Sequence, residues 1–248
     1  MSIVEQLYTA YSANEPLALG ALDIASMEQA YRIQNAVMKM KEENGEVLMG
    51  YKISLTSPET QNLFNSDSPL YGAMTDRTVK KEITLGDYNV PLLEMELIFL
   101  IDEEISAEDT EAEIMKKCRV APGAEVPDAR YKDWFPNTTL NEIIADGAVN
   151  GAVIYGEAEH YDYDDLDDIR GTLSHDGTVI KEGRSTEVLG HPARAMKWLA
   201  ATLAEEGKVL EPGLFVSSGT FNLPIRLETG TYQVEYENVG KVSFEVKV

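Results

Sequence analysis

Glu94 and Glu96 stand inside the apolar run Leu92 to Ile101, LLEMELIFLI. Successive residues of a strand point to opposite faces, so both carboxylates fall beside Leu92, Ile98 and Leu100. Leu93, Met95, Leu97, Phe99 and Ile101 take the other face. Two apolar faces are the pattern of a strand buried on both sides. Paired ionised carboxylates would repel there and lose hydration. A divalent cation offsets both effects, and hard oxygen ligands suit magnesium, manganese or calcium. The other reading is that this end of the strand emerges into water and the pair forms a solvated rim. Glu125 ends a second apolar stretch, just before Val126-Pro127. It offers a third oxygen ligand, or else pairs with Arg130 on a surface loop. Lys52 shares the polar face of a strand with Ser54 and Thr56. Beside a metal, its ammonium would neutralise a substrate carboxylate or a developing enolate. Away from one, it is a solvent-facing edge lysine.

Other chemistries find no pattern. Neither G-x-G-x-x-G nor G-x-x-x-x-G-K-[ST] occurs, so no nucleotide loop is expected. No G-x-S-x-G elbow offers an acyl-transfer serine. His160, His175 and His191 are far apart and lack zinc-ligand spacing. Their positions, in an acidic run, before a turn and before Pro192, fit solvated or structural roles. Cys118 lies between Lys117 and Arg119, and a small packed thiol is the commoner role for such a residue.

The elements that must position these groups are legible from periodicity. Ile3, Val4, Leu7, Tyr8 and Tyr11 recur at helical spacing. Ser26, with Gln29 three residues on, opens a second helix that stops near Asn44-Gly45. VLMGYKISLTS reads as a strand carrying Lys52. Ser57 to Gly72 reads as a short capped helix followed by a turn-rich loop. Strands are expected at Leu92 to Ile101, Lys117 to Val126 and Ala148 to Tyr155, with helices at Ala107 to Lys116 and Leu140 to Asp146. Glu157 to Asp168, EAEHYDYDDLDD, is a solvated loop or edge. Asp176-Gly177 marks a hairpin, and Pro192 to Glu206 the longest late helix. Closing strands are expected at Leu214 to Ser218, Thr231 to Glu237 and Lys241 to Val248. This order predicts an α+β chain in two parts: a helical N-terminal cap with one strand, residues 1–78, and a β-rich core, residues 79–248.

The 248 residues carry 21 Lys and Arg against 43 Asp and Glu, a net charge of −22. That balance argues against nucleic acid or an anionic membrane as a partner. The longest apolar run is too short to span a bilayer and holds two glutamates. A single cysteine excludes an internal disulfide framework and fits a reducing cytoplasmic setting.

Taken in order, GYKISLTS (Gly50 to Ser57), DSPLYG (Asp67 to Gly72), LEMELIFLI (Leu93 to Ile101), PGAEVPDARYKDW (Pro122 to Trp134), IIAD (Ile143 to Asp146) and VLGHPARAMKWLA (Val188 to Ala200) span nearly the whole chain. This set resembles the 2-keto-4-pentenoate hydratase and 4-oxalocrotonate decarboxylase family, within the fumarylacetoacetate hydrolase-like superfamily. The resemblance implies a mixed β-roll core with a helical N-terminal region, and a homo-oligomer. It implies Mg2+ or Mn2+ held by Glu94, Glu96 and Glu125, with Lys52 in the active site. Ser54, Asp67, Leu70, Val149 and Thr220 are the expected substrate-pocket residues. The implied substrate is a small 2-oxo acid, and the implied reaction is a lyase step: hydration of a 2-oxo-alkenoate or decarboxylation of a 4-oxalocrotonate.

Two departures bear on which. Hydratases of the family typically carry aspartate where this chain has Leu70, whereas the decarboxylases carry an apolar residue there. Asp146-Gly147-Ala148-Val149 replaces the usual D-N-A-S, removing an asparagine and a serine. Leu70 cannot accept a proton, which locally favours decarboxylation. A third reading is a 2-oxo-acid-binding relative without turnover. Acylpyruvate hydrolysis ranks below these, because no histidine–glutamate pair stands near the N-terminal motifs.

Overall fold

The computed structural model describes residues 1–248. Hydroxyl side chains open its early helices by accepting the N–H groups that a first helical turn leaves unpaired. Ser2 caps α1 (Ile3–Ala13), Ser26 caps α2 (Met27–Glu43) and Ser57 caps the short α3 (Pro58–Leu63). β1 (Leu48–Ser54) and β2 (Leu70–Thr75) flank α3. The segment read as loop as far as Gly72 thus already enters a strand at Leu70. Then follow β3 (Ile83–Thr84), β4 (Leu92–Ile101), α4 (Glu111–Lys116) and β5 (Cys118–Pro127). α4 is shorter than the expected Ala107 to Lys116 because Thr110 caps it, accepting from the Glu113 N–H.

Next come α5 (Trp134–Asn137), α6 (Leu140–Ala145), β6 (Asn150–Tyr155), β7 (Arg170–His175) and β8 (Thr178–Arg184). α7 (Pro192–Glu205), β9 (Phe215–Thr220), β10 (Ile225–Arg226), β11 (Gly230–Tyr236) and β12 (Gly240–Lys247) complete the chain. The Asp176-Gly177 turn joins β7 to β8 with both residues at positive φ, as an Asp-Gly hairpin requires. The carboxylates of the 157–168 run are exposed.

The strands form two mixed sheets. One runs β2-β1-β9-β4-β5-β6, with β10 paired to β4; the other runs β3-β12-β11-β7-β8. β1 lies parallel to β9, pairing Lys52 with Ser217, and antiparallel to β2, pairing Lys52 with Gly72. The sheet therefore crosses the expected division at residue 78: the Lys52 strand is an interior strand of the core. A 39-residue apolar cluster joins the sheets, and the Tyr236 hydroxyl donates across it to the Gly123 carbonyl at 2.8 Å. A second cluster of 16 residues seats α1, α2 and α6 against the ends of β1, β2 and β4. Both are built as the alternating strand pattern and the 3.6-residue helical stripes demand.

Candidate active site

Glu94, Glu96 and Glu125 converge because of strand register. β4 and β5 are antiparallel, and Glu94 is the direct partner of Glu125. Directly opposed residues share a face, and Glu96, two residues on, joins them. One carboxylate oxygen from each lies within 4.8 Å of the other two. All three residues are buried, and β4 is covered on both faces as its composition predicts. The solvated-rim reading of the Glu94–Glu96 pair does not hold.

β1 brings Lys52 to the same place. Its Nζ donates to Glu125 Oε2 at 2.6 Å, with Lys52 1% and Glu125 0% exposed. Lys52 is therefore no edge lysine, and Glu125 is not paired with Arg130. Arg130 is held elsewhere, its Nε 2.5 Å from Asp146 Oδ1 and its Nη1 donating to the Asn150 carbonyl. β9 supplies the remaining support. Ser217 Oγ donates to Glu96 Oε2 at 2.5 Å, and the Gly219 N–H to the same oxygen at 3.1 Å. Gly219 has φ of +116°, where a side chain is strained, and a Cβ there would lie 2.5 Å from Thr56.

The electrostatics are those of a concentrated buried charge. Burial pushes the Glu94 carboxyl well above the usual range, reinforced by Glu125 and Glu96 and opposed by Lys52. Burial, then Glu125, push Glu96 up to about 8 against the pull of Lys52, Ser217 and Gly219. Glu125 is raised by burial, with Lys52 opposing. For Lys52, burial favours the neutral amine, but the three carboxylates outweigh it and raise the ammonium. Ionised together, as a bound cation would favour, the three carboxylates and one ammonium would leave two negative charges in excess. Glu125 Oε1 is buried without a hydrogen-bond partner. An all-oxygen donor set, an orphaned oxygen and carboxyls that ionise fully only against added positive charge suit a hard divalent cation.

The cluster forms one end of a cavity of about 540 Å3 including its mouth. Lys52, Glu94 and Glu96 are its charged lining; Ser54, Thr60 and Thr220 add hydroxyls; Leu63, Phe64, Trp134, Phe135, Ile143 and Val149 form much of the rest. Ser54, Val149 and Thr220, expected in a substrate pocket, line this cavity. Asp67 does not: it is exposed on the turn in which Ser66 Oγ donates to the Ser68 carbonyl, outside the lining. Leu70 is absent from the lining too. It is fully buried in the apolar cluster with Leu55 and Val149, opposite Ser54 in the β1–β2 ladder. Sequence reading missed Trp134 and Phe135 as pocket residues, although the quoted PGAEVPDARYKDW motif ends on the first of them. It also missed the Gly147-Ala148-Val149 turn, in which all three residues have positive φ. A β-branched residue in that region is an outlier, and nothing local in the sequence announces it. The turn packs so closely on β2 that a Cβ on Gly72 would lie 1.9 Å from the Gly147 carbonyl oxygen.

No family model matches the chain. Individual proteins do. It is 30% identical to a 2-oxo-hept-4-ene-1,7-dioate hydratase from Escherichia coli, over 97% of this chain and 95% of that protein. It is also 30% identical to a 2-keto-4-pentenoate hydratase from Paraburkholderia phymatum, over 86% and 83% of the two. Among solved structures, 4-oxalocrotonate decarboxylase from Pseudomonas putida G7, complexed with magnesium and adipate, superimposes with a TM-score of 0.88. That likeness covers 98% of this chain and 95% of that one at 23% identity, and shows a common fold. With the shared length, the shared fold and the buried acidic cluster in view, the chain belongs to the 2-keto-4-pentenoate hydratase and 4-oxalocrotonate decarboxylase family.

Proposed function

We propose that this chain is a divalent-metal-dependent lyase of the 2-keto-4-pentenoate hydratase type. It adds water to a small 2-oxo-alkenoate, with hydroxyl going to C4 and hydrogen to C5, to give a 4-hydroxy-2-oxo acid. The observation that carries this reading is the meeting of Glu94, Glu96, Glu125 and Lys52 at one end of an otherwise apolar cavity. Glu94, Glu96 and Glu125 would hold the cation, Mg2+ or Mn2+. When bound, it supplies Lewis acidity toward the carbonyl and carboxylate oxygens of a 2-oxo acid, an electron sink for the conjugated chain.

The chain's own residues do the rest. Lys52 keeps its proton, is fixed by Glu125 Oε2, and lends the cavity its one positive side chain for a substrate anion. Ser217 and the Gly219 N–H hold the Glu96 carboxylate in one orientation. The aromatic and aliphatic wall excludes bulk water, which strengthens every charge interaction at the floor. Decarboxylation is the second reading, and a specific observation favours it. The lining carries no acid or base beyond Lys52, Glu94 and Glu96. Loss of carbon dioxide into an electron sink needs no proton delivered at the far end, and Leu70 supplies none. One cysteine, buried, supports a reducing, cytoplasmic setting, and the homo-oligomer that the family likeness implies would be sized by gel filtration with light scattering.

The test is to incubate the pure protein with Mg2+ and either 2-hydroxypenta-2,4-dienoate or 4-oxalocrotonate, following each absorbance. Metal-dependent loss of the dienoate is expected under the hydratase reading, and of 4-oxalocrotonate under the second. Loss of neither would refute both.

A further inference from the structure

The cavity is charged at one end only. Its ionisable lining residues, Lys52, Glu94 and Glu96, all belong to the acidic cluster, and Lys52 is already bonded to Glu125. Apart from the hydroxyls of Ser54, Thr60 and Thr220, the rest of the wall is mainly apolar and aromatic. Trp134 meets Phe135 edge-on with ring centroids 5.5 Å apart, and Phe135 meets Phe64 at 6.3 Å. The one polar atom of Trp134 is committed, since Nε1 donates to the Val90 carbonyl at 3.0 Å. Val149 completes the wall from a left-handed turn, at φ of +52°. In this chain that turn sets an isopropyl group where the D-N-A-S pattern would set a hydroxyl.

No cation from outside reaches in among the lining residues. Arg130 is buried and held by Asp146 and the Asn150 carbonyl. Lys181 and Arg184 line a separate surface groove that shares only Thr220 with the cavity, and Arg184 is paired with Asp168 at 3.0 Å. A carboxylate at the far end of a substrate would therefore lose water largely against rings and methyl groups and gain no cationic partner, the Thr60 and Thr220 hydroxyls already donating to the Ser57 and Asn222 carbonyls. An uncharged tail would gain by the same burial.

We infer that the substrate is a 2-oxo acid bearing a single carboxylate, whose alkyl or alkenyl tail lies against Phe64, Trp134, Phe135 and Val149, and that dioates are rejected. This rests on the hydratase reading, narrows it to the mono-acid members of the substrate class, and sets aside the second reading, since 4-oxalocrotonate is itself a dioate. It separates the chain from its relative named for a dioate despite 30% identity along nearly the whole length.

The test compares kcat/KM, with saturating Mg2+, for 2-hydroxypenta-2,4-dienoate, 2-hydroxyhexa-2,4-dienoate and 2-oxohept-4-ene-1,7-dioate. Both mono-acids should exceed the dioate by about a hundredfold or more. Phe64→Arg, which places a cation on this wall, should narrow that ratio at least about tenfold, mainly by improving the dioate. Val149→Ser should lower the six-carbon mono-acid relative to the five-carbon one. A dioate turned over as well as the mono-acids overturns the inference and leaves the lyase reading standing. If Lys181→Ala then abolishes that turnover, the far carboxylate reaches the neighbouring groove. A chain that consumes none of the three fails the hydratase reading instead. Calorimetry with Mg2+ and two unreactive acids of equal length then decides the tail. Tighter 2-oxohexanoate supports the inference, and tighter 2-oxoadipate overturns it.

Discussion

Lys52 and Glu125 form a fully buried ion pair at 2.6 Å, and removing one member strands the other's charge. Lys52→Ala should therefore cost about 3–5 kcal/mol of folding stability, read from urea unfolding. A loss below about 1 kcal/mol would mean that the pair is not buried as described. At this scale the sequence was informative where a residue contradicted its surroundings. Glu94 and Glu96 stand out because ionised groups do not belong in a strand apolar on both faces. Glu125 and Lys52 gave a weaker signal, since neither breaks a local pattern. Their pairing spans 73 positions of sequence, and only the folded register joins them. Asp67 misled because a polar residue in a family motif was read as a pocket residue, whereas its turn points it to solvent.

Strand register is what brings the four residues of the proposed site together. A slip of one residue between β4 and β5 would send Glu125 to the opposite face. Gly219 is the matching device in β9: its positive φ aims its N–H at Glu96, and the Thr56 contact leaves no room for a methyl. Gly219→Ala should destabilise the fold by more than about 1 kcal/mol and weaken Mg2+ binding, both measurable by calorimetry. An unchanged metal affinity would count against the role given to that N–H.

His191 opens α7, as its place before Pro192 suggested. Its Nδ1 accepts the Ala193 N–H at 3.0 Å, so Nε2 carries the proton facing the Tyr163 carbonyl, also at 3.0 Å. Burial lowers its pKa from 6.5. The unfolded chain then takes up a proton that the folded one refuses, and stability falls as pH drops below about 6.5 toward the folded value. His191→Asn, which caps without titrating, should flatten that slope in thermal melts between pH 7 and pH 5. An unaltered slope would assign it to other groups. Elements with strong periodicity or a clear cap were legible: α1, α2, β4 and the β7–β8 hairpin. β2 was hidden by the turn residues preceding it, and the left-handed 147–149 turn is dictated by close packing on Gly72.

At the scale of the whole molecule, the order of helices and strands gave the α+β class and the motif set gave the family. The two-part division was harder to read, because parallel pairing of β1 with β9 joins positions 165 residues apart and leaves no mark at residue 78. That pairing makes the site a property of the complete sheet, so a bound cation should stabilise the whole fold. Mg2+ at a hundred times its dissociation constant adds about 2.7 kcal/mol, which for a chain of this length raises Tm by roughly 5–10 °C. Glu125→Gln should remove the shift while keeping the far-ultraviolet spectrum, and an equal shift in that variant would place the cation elsewhere. The most direct measurement is anomalous diffraction from crystals grown with Mn2+. One strong peak per chain is predicted, within about 2.0–2.6 Å of oxygens from Glu94, Glu96 and Glu125. A peak coordinated by other residues, or none at full manganese loading, would contradict the account.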